Sequence, residues 1–190
     1  PRDIVSGDFY WYEKIDDKFI VACADCTGHG VPGAFMSMIS STLFKEIAHQ
    51  EQISEPSQFL YKLDELLNNT LKKTEGFTVQ DGLDVSVCVF DINTNILKFA
   101  GAYRPVVIYK NNTLERIKTS SCSIGGLDEI SKTFETHEVQ LIPGDIVYMF
   151  TDGFPDQFGG DNGKKLYIKG FMNLLENSID MEMDDQQVLL

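Results

Sequence analysis

The sequence predicts an α+β domain in which antiparallel sheets are combined with helices, and three observations lead to this prediction. Apolar runs of strand length, separated by short turns, occupy residues 9–24 and 84–150. Two long stretches between these regions carry apolar residues at helical spacing, and helix-like stretches return after residue 169. Because strands joined by hairpins run antiparallel, we expect antiparallel sheets whose faces are covered by the helices.

The first strands form a predicted hairpin with an acidic residue at each open end. Residues 9–12 and 18–24 are strand-like, and Asp16-Asp17 supplies the turn between them. Asp8 stands at the entry of this hairpin and Asp25 at its exit. Since the open ends of an antiparallel pair lie side by side, we expect the two carboxylates to converge.

Two amphipathic helices follow. The first runs from Val31 to about Gln50, and the second follows Ser54-Glu55-Pro56, whose serine suits a helix cap. In the first helix the predicted core stripe is Val31, Phe35, Met38, Ile39, Thr42, Leu43 and Ile47. In the second it is Phe59, Leu60, Leu63, Leu66, Leu67 and Leu71.

The second half of the chain alternates apolar and polar residues in strand-like runs. The predicted strands are residues 84–91, 96–100, 106–109, 114–118, 133–141 and 145–150, with a loose loop over residues 120–131. Pro143-Gly144 is typical of a type II turn and predicts a hairpin between the last two strands. Helices are predicted over residues 169–177 and 184–190.

Composition narrows the classes of function. The chain has 190 residues, enough for one domain with a full core, and its 16 basic against 29 acidic residues give a net charge of −13. Such a surface repels phosphate backbones and anionic lipids, so we expect no nucleic-acid partner and no direct membrane contact. We expect a cytoplasmic location, with tethering through an upstream region left open.

A second acidic turn resembles the first. Residues 146–151 are an apolar run that leads to Asp152-Gly153, just as residues 19–24 lead to Asp25. Together with Asp8, these strand-end aspartates form an oxygen-rich set of the kind that Mg²⁺ and Mn²⁺ prefer. Because such carboxylates repel one another at close range, the cluster indicates a bound cation.

Simpler interpretations exist for each of these residues alone. A single strand-end aspartate before glycine is often only a turn residue. A zinc site formed by Cys23, Cys26 and His29 is an alternative interpretation. However, alternate strand positions separate the two thiols, and no second cysteine pair exists. The four cysteines, Cys23, Cys26, Cys88 and Cys122, fit a reducing compartment better than a disulfide framework. We interpret Asp81, Asp84 and Asp156 as solvated turn or strand-end residues, with Asp156 a minor candidate for outer support of the site.

Three motifs in order resemble a known family. They are Ser6-Gly7-Asp8-Phe9-Tyr10, then Ala24-Asp25-Cys26-Thr27-Gly28-His29-Gly30-Val31-Pro32-Gly33-Ala34, then Pro143-Gly144-Asp145 leading into Thr151-Asp152-Gly153. This pattern is similar to the SpoIIE-type branch of the metal-dependent, protein phosphatase 2C-like serine/threonine phosphatases. The resemblance implies a four-layer α-β-β-α sandwich with a site for two Mn²⁺ or Mg²⁺ ions at one edge.

The resemblance also implies roles for individual residues. Asp25 corresponds to the carboxylate that bridges both ions, Asp8 and the Cys26 backbone carbonyl complete one ion's protein ligands, and Asp152 holds the other. His29 is a candidate general acid, although it is displaced from the family's histidine.

The phosphate-binding residue is left unassigned. Ile4 stands about where relatives have an arginine, and Arg2 or Arg104 would have to substitute.

We expect one phosphatase domain over residues 1–190, incomplete at its C-terminus and lacking an N-terminal strand. The family supplies a further metal aspartate near its last strand, and Asp184-Asp185 does not match that pattern. The resemblance implies a phosphorylated protein substrate such as an anti-anti-sigma regulator, an upstream sensory or dimerising segment, and a homodimer. Two alternatives stay open: a catalytically silent interaction domain that keeps the fold, and a hydrolase of small phosphoesters.

Overall fold

The computed structural model describes residues 6–50, 55–72, 81–126, 131–159 and 163–190. In chain order the strands are β1 (Asp8–Ile15), β2 (Lys18–Cys26), β3 (Gly82–Asp91), β4 (Ile96–Ala102), β5 (Val106–Lys110), β6 (Thr113–Ile117), β7 (Ile124–Gly125), β8 (His137–Gln140), β9 (Ile146–Met149), β10 (Phe158–Gly159) and β11 (Lys164–Lys165). The helices are α1 (Gly30–Gln50), α2 (Pro56–Lys72), α3 (Tyr167–Ser178) and α4 (Met183–Leu189).

Two antiparallel sheets form the centre of the molecule. The first, sheet A, has the strand order β1-β2-β3-β4-β8, with β7 paired to the end of β3. The second, sheet B, has the order β6-β5-β9, and β10 and β11 form a separate two-stranded ribbon. Every strand pairing within these sheets is antiparallel, as the hairpin pattern predicted.

Three apolar clusters separate four layers. Residues on one face of sheet A, such as Ala22 and Val87, pack with the apolar residues of α1 and α2. The opposite face meets sheet B through residues such as Phe99 and Ile108. The outer face of sheet B packs on Leu175 and neighbours from α3. The fold is therefore the α-β-β-α sandwich that the resemblance implied.

The buried face of α1 differs from the predicted one. Val31, Phe35 and Met38 are 69%, 53% and 66% exposed, whereas Met36 and Phe44 are buried. The prediction that the Phe and Met stripe forms core is wrong for these three residues. Two overlapping stripes at helical spacing run along α1, so periodicity alone did not select the buried one.

The Pro143-Gly144 turn does not close a hairpin. The strand before it, β8, pairs with β4 in sheet A, whereas the strand after it, β9, pairs with β5 in sheet B. Gly144 has the positive φ of 98° that the turn prediction required. The turn therefore carries the chain from one sheet to the other, because each strand finds its apolar partners in a different sheet.

Two further predictions concern a loop and a helix cap. The loop expected over residues 120–131 contains β7, which pairs with β3. The predicted cap at Ser54 lies outside the described residues. Of the helices described, none is long and apolar enough to cross a bilayer.

Candidate functional site

Three carboxylates stand in a row across three neighbouring strands. In the sheet register Asp8 lies opposite Asp25, and Asp25 lies opposite Asp84. Residues directly opposite one another share a face of the sheet, so all three side chains project on the same side. The strand neighbours Ala24 and Cys26 point to the other face, which packs against the helices. The face that carries the three carboxylates is therefore the one turned toward sheet B.

Sheet B contributes the fourth carboxylate. Asp152 follows β9, and its carbonyl accepts a hydrogen bond of 2.8 Å from the Asp156 amide in a tight turn. A Cβ placed on Gly153 would lie 3.4 Å from Asp8 Oδ2, which brings this turn against the end of β1. The prediction that Asp8, Asp25 and Asp152 converge from separate segments agrees with this placement.

A guanidinium lies among three of the four carboxylates. Arg104 lies between β4 and β5, where the chain passes from sheet A to sheet B. Its Nη2 donates hydrogen bonds to Asp25 Oδ2 and, at 3.1 Å, to Asp152 Oδ2, and lies 3.5 Å from Asp84 Oδ2. The Arg104 side chain is only 11% exposed, and its Nε is buried without a hydrogen-bond partner.

The backbone around Arg104 is fixed from a neighbouring segment. Thr119 Oγ1 donates a hydrogen bond of 2.9 Å to the Arg104 carbonyl. The amide of Tyr103 donates one of 2.8 Å to the Ser120 carbonyl. These two hydrogen bonds fix the backbone of the connection between β4 and β5, from which the Arg104 side chain extends into the acidic cluster.

The cluster shifts the protonation of Asp25. The pKa of its carboxyl is raised from 3.8 to about 6: burial is the largest cause, the charge of Asp8 is the next, and Arg104 opposes the rise. Asp152 and Asp84 add smaller contributions in the same direction as Asp8. One guanidinium therefore does not neutralise the carboxylates around Asp25, and additional positive charge would stabilise the site.

Glycines let the backbone close tightly at the Asp25 turn. A Cβ on Gly7 would lie 2.5 Å from the Cys26 carbonyl oxygen, and one on Gly33 would lie 2.7 Å from the Gly28 carbonyl oxygen. The Cys26 amide also donates a hydrogen bond of 3.2 Å to the Gly7 carbonyl. The proposed Cys26 carbonyl ligand thus lies directly beside the segment that carries Asp8.

The zinc interpretation does not fit the geometry. Cys26 faces the helices, where its thiol lies 3.8 Å from Ser40 Oγ, whereas Cys23 projects from the opposite face of β2. Burial raises the pKa of the Cys23 thiol to about 11 and that of Cys26 to about 12. All four cysteines are free thiols, as the composition predicted. His29 is exposed in the turn between β2 and α1.

The structure adds two residues that the sequence did not identify as part of the site. Asp84, interpreted as solvated, accepts a hydrogen bond of 2.6 Å from Ser123 Oγ and lies beside Arg104. The signal was its register opposite Asp25, which becomes visible only when β2 and β3 are paired. Arg104, considered only as a substitute phosphate ligand, lies among three carboxylates of the cluster. Arg2 and Ile4 lie outside the described residues.

The other acidic candidates lie in different surroundings. The Asp156 carboxylate forms an ion pair of 2.7 Å with Lys165, so it does not support the cluster through its side chain. Asp184 and Asp185 lie exposed in the first turn of α4. Thr27 Oγ1 lies 3.5 Å from Asp81 Oδ1.

The chemistry of the donors fits hard divalent cations. The side chains of Asp8, Asp25, Asp84 and Asp152 offer only oxygen ligands, which Mg²⁺ and Mn²⁺ prefer. Among the residues that the structure describes, no three acidic, histidine or cysteine groups form a ready-made metal cage. The carboxylates are arranged around the guanidinium instead, so a cation would need Asp25 and Asp152 oxygens that Arg104 now contacts.

Fold and site together define the class of protein. The structure superposes on the SiaA-PP2C domain of Pseudomonas aeruginosa with a TM-score of 0.86 and 28% identity, covering 100% of this chain and 73% of that one. It also matches the PP2C phosphatase domain of SpoIIE from Bacillus subtilis, with a TM-score of 0.68 and 20% identity over 99% of this chain and 54% of that one. The chain is a phosphatase domain of the PP2C type.

The sequence places the chain in a particular family. The family described as Stage II sporulation protein E (SpoIIE) matches residues 15–188, and the chain belongs to it. Phosphoserine phosphatase RsbU of Bacillus subtilis is 29% identical over 164 residues. That match covers 80% of this chain and 44% of RsbU, so the chain spans less than half the length of this relative.

Proposed function

We propose that this domain hydrolyses phosphoserine or phosphothreonine in a partner protein, with two Mn²⁺ or Mg²⁺ ions as cofactors. The observation that carries the proposal is the convergence of four carboxylates from both sheets at one edge of the sandwich. Asp8, Asp25 and the Cys26 carbonyl are the proposed ligands on sheet A, and Asp152 is the proposed ligand after sheet B. The relative RsbU is named a phosphoserine phosphatase, and the neighbour RsbX was solved in complex with magnesium.

The proposed chemistry divides between cations and side chains. Bound cations supply an activated water and neutralise the charge that spreads over the phosphoryl oxygens during in-line attack. Asp25 stands between Asp8 and Asp84 in the register, so it is the carboxylate best placed to reach two ions. His29, exposed in the adjoining turn, is the proposed general acid. The N–H groups of Arg104 are the proposed donors to a phosphate oxygen.

The proposed biological setting follows from the relatives. We propose an anti-anti-sigma type regulator as substrate, an upstream sensory or dimerising segment, a homodimer and a cytoplasmic location. A solved neighbour combines RsbU and RsbW domains in one Mycobacterium tuberculosis protein, Rv1364c. We also propose that residues 1–190 form one phosphatase domain.

The test is hydrolysis of a phosphoserine peptide and of an aryl phosphate in Mn²⁺. We expect wild-type activity to disappear in chelator and in Asp25→Ala, because both remove the proposed cation site. Asp184→Ala is the matched control, since it removes an exposed carboxylate elsewhere, and it should keep full activity. Wild-type activity that survives chelator, or activity of Asp25→Ala in Mn²⁺ equal to that of the wild type, would contradict the proposal.

A second candidate is a silent interaction domain that keeps the fold. The Arg104 contacts to Asp25 and Asp152 favour it, because they engage oxygens that catalysis would need for cations. The same assay separates the two functions. A silent domain would show no hydrolysis in Mn²⁺, whereas a phosphatase would hydrolyse the peptide in Mn²⁺ and lose that activity in chelator.

A further inference from the structure

Arg104 Nη2 lies among carboxylate oxygens, in the kind of surroundings in which proteins bind a metal cation. This one nitrogen lies within hydrogen-bond or ion-pair distance of carboxylate oxygens from β2, from β3 and from the turn after β9. Divalent cations in proteins are held in the same way, by carboxylate oxygens from several segments. The positive charge of the Arg104 guanidinium therefore takes the place that the charge of a metal ion would have.

Burial makes this contact more than a surface ion pair. The Arg104 side chain is 11% exposed, and those of Asp25 and Asp84 are 25% and 28% exposed. Charges removed from water interact more strongly than exposed ones, so repulsion between this guanidinium and a nearby divalent cation is poorly screened. Its Nε, in contrast, is buried without a hydrogen-bond partner.

We propose that Arg104 is an internal competitor for the divalent cation, which sets the cation concentration at which the site fills. The inference rests on the proposed metal site and deepens it. Cation binding at Asp25 and Asp152 requires the guanidinium to leave their oxygens, and Asp84 is the carboxylate to which it stays paired. Asp84, held by Ser123 Oγ at 2.6 Å, is in this scheme the positioning residue that retains Arg104 beside the site.

The competition predicts opposite effects on stability and on metal affinity. Without divalent cations, Arg104→Gln leaves Asp25, Asp84 and Asp152 without their counter-charge, and the melting temperature should fall. In Mn²⁺ the same variant should bind the ion at least about tenfold more tightly, because it removes a competing charge from the ligands. A purely structural role for Arg104 would instead lower both the stability and the affinity.

The experiment is isothermal titration of Mn²⁺ into chelator-treated protein, combined with thermal denaturation in chelator. Arg116→Gln is the matched control, because it removes one positive charge from the exposed face of β6. We expect its Mn²⁺ dissociation constant and melting temperature to match the wild type.

A second variant keeps the test decisive if Arg104→Gln does not fold. Arg104→Lys retains the charge but is shorter and lacks the fixed guanidinium geometry that places Nη2 among three carboxylates, and should bind Mn²⁺ about threefold more tightly than the wild type.

Two outcomes overturn the inference in distinguishable ways. Equal or weaker Mn²⁺ binding by the folded Arg104 variants, with binding by the wild type intact, removes the competition and leaves the proposed function standing. No Mn²⁺ binding by the wild type or by any variant removes the proposed metal site, and the competition with it.

Discussion

At the scale of single residues, Asp25 lies in surroundings that lower the stability of the fold when its carboxyl is charged. Its half-buried carboxyl lies near Asp8, Asp84 and Asp152, and among the described residues Arg104 opposes the rise of its pKa from 3.8 to about 6. A charged group in such surroundings destabilises the fold unless positive charge is supplied. The proposed binding of a cation and the stability of the fold therefore place opposite demands on the charge of Asp25.

Replacing Asp25 should reveal this conflict. In chelator near pH 7.5, Asp25→Asn should melt at a higher temperature than the wild type, because the amide is uncharged. A raised pKa means that the folded state binds the proton more tightly, so the wild type loses stability as pH rises from about 4 to about 6. The difference between the two proteins should therefore be small near pH 4 and constant above about pH 7.

Thermal denaturation across this pH range is the measurement. Asp180→Asn, which alters an exposed carboxylate, is the control and should follow the wild type at every pH. A variant Asp25→Asn less stable than the wild type at pH 7.5 would show that the Arg104 pair outweighs burial and repulsion.

The glycine beside Asp8 is the second residue whose loss should be measurable. Gly7→Ala should destabilise the protein by about 1–3 kcal/mol, because its Cβ would fall 2.5 Å from the Cys26 carbonyl oxygen. Gly159→Ala is the matched control, since a Cβ there has no neighbour within 4 Å. Urea denaturation compares the two, and equal stabilities would mean that the β1 end shifts without cost.

At the scale of elements, α1 shows where helical periodicity gives an ambiguous result. Phe44 is fully buried and its ring centroid lies 5.6 Å from Phe9 and 5.7 Å from Phe59, whereas Phe35 is 53% exposed. Phe44→Ala should therefore cost about 3–5 kcal/mol of unfolding free energy. Phe35→Ala should stay within about 0.5 kcal/mol of the wild type. Denaturant unfolding of both variants checks this, and similar losses would restore the predicted core stripe.

Much of the element pattern was accessible from sequence, and the reasons are local. The β1–β2 hairpin and the paired position of Asp8 and Asp25 followed from alternation and one turn. The partners of β8 and β9 were not accessible, because Pro143-Gly144 specifies a turn but not which sheet each flanking strand joins. Asp84 and Arg104 were missed as site residues for a similar reason. Their roles depend on pairings between segments distant in the chain.

At the scale of the whole molecule, the site spans the two sheets of the sandwich. Asp8, Asp25 and Asp84 project from sheet A, Asp152 follows sheet B, and Arg104 lies on the connection between the sheets. A ligand that bridges these groups binds the native state only, so it must stabilise the entire fold. Cation binding and global stability are therefore linked.

This linkage can be measured by thermal shift in Mn²⁺. Wild-type protein should gain about 2.7 kcal/mol at a Mn²⁺ concentration of about 100 times its dissociation constant. Asp152→Asn should lose most of this gain, because it removes the contribution of sheet B. Asp184→Asn, which changes an exposed carboxylate of α4, should keep it. A full gain in Asp152→Asn would mean that the cation binds elsewhere.

The row of carboxylates also has a consequence for how the chain folds. The β1–β2 hairpin turns at Asp16-Asp17, and Asp8 and Asp25 lie at its opposite, open end. Contacts close to a turn require the least loop closure, so the pairing should start there and reach the acidic end last. Amide hydrogen exchange should accordingly be faster at Cys26 than at Phe19. The acidic end would then be the last part of the hairpin to form, and a cation bound by both Asp8 and Asp25 would require strands that have paired along their whole length.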